Sequence, residues 1–364
     1  MKKVLLILMC CMAIQSVHAQ DTPKWADKAK KAVFSIVTYD KENKIKNTGN
    51  GFYIDNNGTA LSDYSLFEDA ERAVIINADG KELPVTRIAG ANSMYDVIKF
   101  RTETEKKITA LKVATQPAAV GETVYLLPYS TQKAATCQTG KVTQVDTIAD
   151  KAYYYTLTMT TSDKTVSCPI MNANGEVLGL IQKSASEEDK ESYAIGASYG
   201  ESLSISPLSA NDINLNKIGI AKALPETEDQ ALVYLYMSSS QMDAKNYLAT
   251  LNDFLQAYPN STEGYTRRAG YYMNIGDDEH NALAEADLKK AMDVSGNKTE
   301  GQYNVAKIIY SYCINLEEGK KAYGDWLRQS IKYHSRSYRN RCTTGLYSIG
   351  RRYFICNAQL YRCV

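Results

Sequence analysis

Hydrolytic chemistry on side chains needs a nucleophile, a base near its working pKa and a group that orients the base, and histidine is the usual base near neutral pH. The 364 residues include three histidines, His18, His280 and His334, so none falls between His18 and His280. Nucleophiles are plentiful there. Ser65, Ser167, Cys137 and Cys168 all lie in that histidine-free stretch, as does the aspartate Asp96. Any histidine-based centre would have to use the later part of the chain. His280 stands in an Asp/Glu-rich turn, where it is expected to be a solvated loop residue and a poor metal site. No cofactor or metal is expected.

The elements around these residues divide the chain. Met1–Ala19 has Lys2-Lys3, an apolar run and Val17-His18-Ala19, which reads as a signal peptide cleaved after Ala19 and implies an exported protein, periplasmic or secreted. Its apolar run is too short to cross a bilayer of about 30 Å, and no membrane span is expected. Such a compartment lets disulfides persist. Two of the 42 basic residues lie in this leader and eight lie in residues 326–364, while all 41 acids lie between, so residues 20–325 carry a net charge of −9. An acidic body excludes nucleic acid as the expected partner, since binders of nucleic acid concentrate basic residues on the folded domain.

From Ala32 to about Ser206 the apolar pattern has short period. Strands are predicted at Ala32–Tyr39, Gly51–Ile54, Ala73–Ile76, Val97–Phe100, Thr123–Leu127, Gly140–Val145, Tyr153–Met159 and Gly175–Ile181,. Turn signals at Asn56-Asn57-Gly58, Asp79-Gly80 and Asn174-Gly175 separate them,. This pattern predicts an all-β barrel or sandwich.

Four ordered blocks in this stretch carry a resemblance. Gly49-Asn50-Gly51-Phe52-Tyr53-Ile54-Asp55-Asn56-Asn57-Gly58, Ser62-Asp63-Tyr64-Ser65, Asn92-Ser93-Met94-Tyr95-Asp96-Val97-Ile98 and Lys164–Leu180 resemble, in order, the opening, base, aspartate and nucleophile segments of HtrA-type, trypsin-like serine peptidases. Ser192-Tyr193-Ala194-Ile195-Gly196 is similar to that family's closing strand. The resemblance implies a double antiparallel β-barrel over residues 20–206. It also places Ser65 at the base position, Asp96 at the orienting position and Val166 at the nucleophile position. Lys164, Ser167 and Cys168 stand where the family has glycines.

That mapping predicts a triad lost at two of its three positions. Losing the serine or histidine of such a triad costs on the order of 10⁶ in turnover, so the domain is expected to be non-catalytic and Asp96 to be a turn or capping residue. The competing expectation is an active secreted serine endopeptidase with a displaced nucleophile, Ser167, or with Cys168 as thiolate. The resemblance also brings the segments of Cys137 and Cys168 near each other. It implies a disulfide between them worth about 3–4 kcal/mol in the chain-entropy model, the alternative being a reactive thiol activated by Lys164.

After a connector at 207–225 the period becomes helical. Helices are predicted at Glu226–Ser239, Asp243–Tyr258, Glu263–Ile275, Asn281–Val294 and Glu300–Ile314,. Thr262-Glu263-Gly264 recurs as Thr299-Glu300-Gly301 and Ala269 as Ala306, 37 residues on,. Tyr265, Ala269 and Tyr272, then Ala284, Leu288 and Ala291, resemble the two helices of a tetratricopeptide (TPR) repeat, with about three extra residues near Gly276–His280. An unrelated antiparallel helical bundle is the alternative. Residues 226–325 are thus expected to form a TPR-like array whose surface binds a protein or peptide, with the barrel cleft as a second peptide site. Residues 326–364, with no acid, three cysteines and little helical period, are expected to be a poorly ordered basic tail. It is either an altered ending or a surface-binding extension.

Overall fold

The computed structural model describes residues 22–104, 108–149, 152–182 and 190–315. The expected leader (1–19) and basic tail (326–364) lie outside them. Two compact units divide the chain between Glu226 and Thr227.

The first unit holds two closed antiparallel barrels of six strands each. In the first, β1 (Val33–Tyr39), β2 (Ile45–Tyr53), β3 (Thr59–Ser62), β4 (Arg72–Ile76), β5 (Glu82–Asn92) and β6 (Val97–Thr102) run in the order β1-β2-β3-β6-β5-β4. In the second, β7 (Thr123–Leu126), β8 (Gln138–Ala149), β9 (Ala152–Leu157), β10 (Pro169–Met171), β11 (Val177–Ile181) and β12 (Ser192–Gly196) run β10-β11-β12-β9-β8-β7. Closure removes the unpaired edges that an open sheet would expose.

Alternation sets which side chains fill each barrel. Along β1, Phe34 and Ile36 are fully buried, and Phe34 packs edge-on to Tyr53 at 4.7 Å between ring centroids. Phe67 and Phe100 meet at 5.1 Å in the same core. The three predicted turn glycines fit their roles: Gly58, Gly80 and Gly175 have φ of +94°, +78° and +77°, a region glycine enters without steric cost.

Residues 207–225 are not a free connector. A 3-10 turn at Pro207–Asn211 and a short helix at Ile213–Asn216 lead into a segment that bridges Ile88 of β5 through Lys222. Ile88 donates to Ala221 O and Ala223 donates to Ile88 O, while Ala210, Leu215, Ile218 and Ile220 are buried. The apolar residues of the segment thus bury themselves against the first unit.

The expected Cys137–Cys168 disulfide is not formed: both are free thiols. Sheet order gives the reason. Cys137 precedes β8 and Cys168 precedes β10, and β7 lies between those strands, with Leu126 opposite Gln138 on one side and Ile170 on the other. Two strand spacings are about 9–10 Å, beyond the roughly 4.4–6.8 Å that a disulfide spans between Cα atoms. Burial pushes the Cys137 thiol up to about 11 and the Cys168 thiol up to about 12, so neither is an activated thiolate.

The second unit comprises, among the described residues, five helices: α1 (Glu228–Ser238), α2 (Ala244–Ala257), α3 (Thr262–Ile275), α4 (Asp278–Val294) and α5 (Lys298–Asn315). Thr227, Asp243, Ser261 and Asp277 cap the first four by accepting from backbone N–H groups of the first turn,. Gly276, at φ +79°, ends α3 in the left-handed region,. Ala269, Met273, Ala284, Leu288, Ala291, Val305, Ile309 and Tyr312 form one buried cluster from α3, α4 and α5. His280 is not in a loop. Asp277 caps α4 so early that His280 falls in its first turn, where its Nδ1 lies 2.7 Å from the Asp277 carboxylate. The residues assigned to an insertion near Gly276–His280 therefore lengthen α4.

Candidate functional site

The site is assembled where β3 ends, where β5 turns into β6, and where a loop leads into β10. After Ser62 the chain stays extended at Asp63, then makes a 3-10 turn over Tyr64–Leu66 that presents Ser65 to solvent. Asp96 sits in the turn before β6 at φ +47°, a region that aspartate tolerates better than most residues. The Ser65 N–H donates to Asp96 Oδ1 at 2.7 Å and the Ser65 hydroxyl donates to Asp96 Oδ2 at 3.0 Å. The two residues mapped to base and orienting positions are thus brought together, and both carboxylate oxygens are engaged by Ser65.

The third mapped residue, Val166, is half-buried in the loop before β10. Asn50 of β2 ties this loop to the first barrel, donating through Nδ2 to Lys164 O at 3.1 Å and to Val166 O at 2.9 Å. Asn50 is fixed from behind, since its own carbonyl accepts from the Ser62 hydroxyl at 2.6 Å. The Val166 N–H donates to Ser162 O at 3.2 Å and the Thr165 N–H to the same carbonyl at 2.8 Å. The N–H at the nucleophile position is therefore committed to a local turn.

Of the three residues standing where glycines are expected, only Ser167 has positive φ, at +65°. Its N–H donates to Ile181 O, which fixes the strained backbone against β11,. Its Oγ is fully buried and has no hydrogen-bond partner. Cys168, also fully buried, continues into β10.

Sequence reasoning missed Asp63. It is 2% exposed, and its Oδ1 has no hydrogen-bond partner. Burial, and secondarily the like charge of Asp96, push its carboxyl well above the ordinary 3.8, while the nearby Ser167 hydroxyl opposes them,. The signal that could have found it is an acid two residues after Leu61, between the buried Ser62 and Tyr64.

Next to Asp96 in the chain, Met94 and Tyr95 line an open hollow of about 340 Å³ together with Asp146, Ile148, Tyr154 and Gln182. Gln182 braces it: Tyr154 OH donates to Gln182 Oε1 at 2.6 Å, and Gln182 Nε2 donates to Tyr95 O at 2.7 Å. Among the described residues no group of three or more His, Cys, Asp or Glu could hold a metal ion, and no helix is long and apolar enough to cross a membrane.

No curated protein matches the chain. Residues 49–180 match a family model described as a trypsin-like peptidase domain, and this span runs from β2 through β11. The match and the two closed six-stranded barrels agree: the chain contains a trypsin-like peptidase domain.

Proposed function

We propose that this domain is non-catalytic and that the chain is an exported binding protein, in which a TPR-like helical array and the barrel cleft take a protein or peptide ligand. The observation that carries the reading is the Ser65–Asp96 pair, a hydroxyl bonded to the aspartate where the family has an imidazole, together with Val166 at the mapped nucleophile position. In a working triad an imidazole accepts the nucleophile's proton and the aspartate orients that imidazole. Here a hydroxyl donates to the aspartate, and a serine hydroxyl accepts no proton near neutral pH. Committing the Val166 N–H to Ser162 O removes an oxyanion donor as well,.

Two features support binding. The hollow beside Asp96 joins apolar and tyrosine surfaces with an exposed carboxylate, the mixture common in ligand sites,. In the helical unit, the recurring glycines of the 37-residue period do the same work. A Cβ on Gly264 would meet Phe254 of α2 at 2.6 Å, and one on Gly301 would meet Ser295 at 2.6 Å. Each lets a helix start close against the element before it, as a stacked repeat requires.

The test is hydrolysis of a broad peptide library by the purified chain, with Val166→Ala and Ser167→Ala variants alongside. No cleavage above buffer is expected from any of the three. The second reading, a peptidase using Ser167, predicts cleavage that survives Val166→Ala and vanishes in Ser167→Ala. The buried, unpartnered Ser167 Oγ beside a carboxyl that favours its neutral form argues against it.

A further inference from the structure

The two barrels meet at a buried acid. Asp63 comes from the first barrel and Ser167 from the second, and each buries a side-chain oxygen that has no hydrogen-bond partner. Buried polar atoms are nearly always paired, and here the Asp63 carboxyl and the Ser167 hydroxyl have only each other to turn to at the seam. The backbones on either side are held in the left-handed region, Asp96 at φ +47° and Ser167 at φ +65°. Such strain persists where the surroundings enforce it, and it gathers at sites that switch.

We propose that Asp63 bolts a pH-operated latch between the barrels: its neutral form keeps the Lys164–Cys168 loop closed on the end of β3, and its ionisation releases that loop.

The charges around Asp63 set the direction. From the turn before β6, Asp96 faces it as a like charge; from the loop before β10 come the Ser167 hydroxyl and the Cys168 thiol. No cation is among the groups acting on it. An ionised Asp63 would therefore be a buried charge compensated only by the Ser167 hydroxyl, a state proteins avoid by neutralising the group or moving it to water. What else holds the loop is modest: two Asn50 hydrogen bonds to Lys164 O and Val166 O, and a reciprocal pair with Ile181, whose carbonyl accepts from the Ser167 N–H and whose N–H donates to Cys168 O. The closed state keeps the proton of Asp63 more tightly than an opened state that exposes it to water. Closure is therefore favoured at low pH. It weakens as pH rises from the ordinary carboxylate range, near 3.8, through the raised value,.

Hydrogen exchange of the intact chain tests this, comparing the wild-type protein with Asp63→Asn at each pH so that the intrinsic pH dependence of exchange cancels. Near pH 3.5, below the ordinary carboxylate value of 3.8, the amides of residues 164–168 should exchange alike in both proteins. Near pH 8 those of the wild type should exchange at least ten-fold faster, with β1 and β9 unchanged. Equal rates at both pH values would overturn the latch, and so would an excess spread evenly over both barrels. If Asp63→Asn does not fold, Asp96→Asn takes its place. Removing the like charge should shrink the alkaline excess at 164–168, and an undiminished excess would overturn the proposal.

Discussion

Each unit buries an aspartate, and the two are handled in opposite ways. Asp287 of α4 is 6% exposed and meets Arg268 of α3 through two parallel bonds, Nε to Oδ2 and Nη2 to Oδ1, both at 2.8 Å. Arg268 also donates through Nη1 to Asn252 of α2 at 2.7 Å, so three helices share one charge pair. Asp63, in the barrel unit, is more deeply buried, faces another acid and leaves Oδ1 without a partner. A carboxylate held by two guanidinium bonds has a partner for each oxygen and fixes the register of its neighbours. An unpaired one is tolerated in its neutral form, which makes its surroundings answer to pH. Burial alone therefore says little about an acid's role, and the partner decides it.

The strongest way to break the comparison is to orphan Arg268. Asp287→Ala would strand the guanidinium among α2, α3 and α4, and removing one member of a buried pair costs about 3–5 kcal/mol. Because the Arg268 side chain keeps 21% of its exposure, a loss at the lower end, about 3 kcal/mol, is expected in the urea unfolding of the helical unit. A loss below about 1 kcal/mol would mean that the pair behaves as a surface bridge and that the contrast with Asp63 is one of degree.

A smaller effect sharpens the packing side of the argument. In Gly264→Ala the new Cβ would lie 2.6 Å from Phe254 Cε1 and 2.7 Å from Leu255 Cδ2, both buried side chains of α2. Overpacking of this kind costs about 1–3 kcal/mol. Gly270, on the same helix α3, has nothing within 4 Å of the added carbon. There Gly→Ala should stabilise by about 0.5–1 kcal/mol, through backbone entropy alone. Thermal unfolding of the two variants checks both signs. Like signs would show that α2 and α3 are not closely seated at Gly264.

Legibility followed local signal strength. The predicted helices match α1–α5 to within three residues at either end, because each carries a cap or a breaker: Asp243, Ser261 and Asp277 at starts, Pro259 and Gly276 after ends. The turn glycines marked three hairpins. Strands β3, with four residues, and β10, with three, were too short to show a period. Strand β5 was hidden because Glu82, Pro84, Thr86 and Arg87 interrupt its apolar residues and its pairing with β6 is bulged twice. At the site, the family blocks mapped Ser65 and Asp96 to partner positions, but Asp96 was expected to be a turn or capping residue and its bonds to Ser65 were not foreseen. Asp63 was not readable, since an acid becomes exceptional through burial by residues a hundred positions away. The Cys137–Cys168 pairing failed for a related reason: two segments can be neighbours in a barrel and still have a strand between them.

The smallest expected effect comes from trying to rebuild the centre. Ser65→His with Val166→Ser would supply a base and a nucleophile on the family pattern, with Asp96 already bonded to position 65. Three features still oppose turnover. The N–H at position 166 is spent on Ser162 O, and a lost oxyanion donor costs about 10²–10³ in rate. Asn50 anchors the Lys164 and Val166 carbonyls and so holds that turn closed. Ser167 carries the strained φ of +65° where glycine would be relaxed, a cost on the order of 1–3 kcal/mol. Of the three non-glycine residues there, Lys164 and Cys168 have no such strain, so the useful third change is Ser167→Gly and not replacement of all three. The double variant should hydrolyse an activated ester within a few-fold of buffer. Ser167→Gly should raise that rate modestly while leaving it far below a working peptidase, since it does not free the N–H at 166. A rise of a hundred-fold or more from the double variant alone would mean that the Ser162–Val166 turn opens readily once a catalytic serine is present. The loop would then be a closed but intact oxyanion site, and the barrels would differ from an active peptidase by two side chains alone.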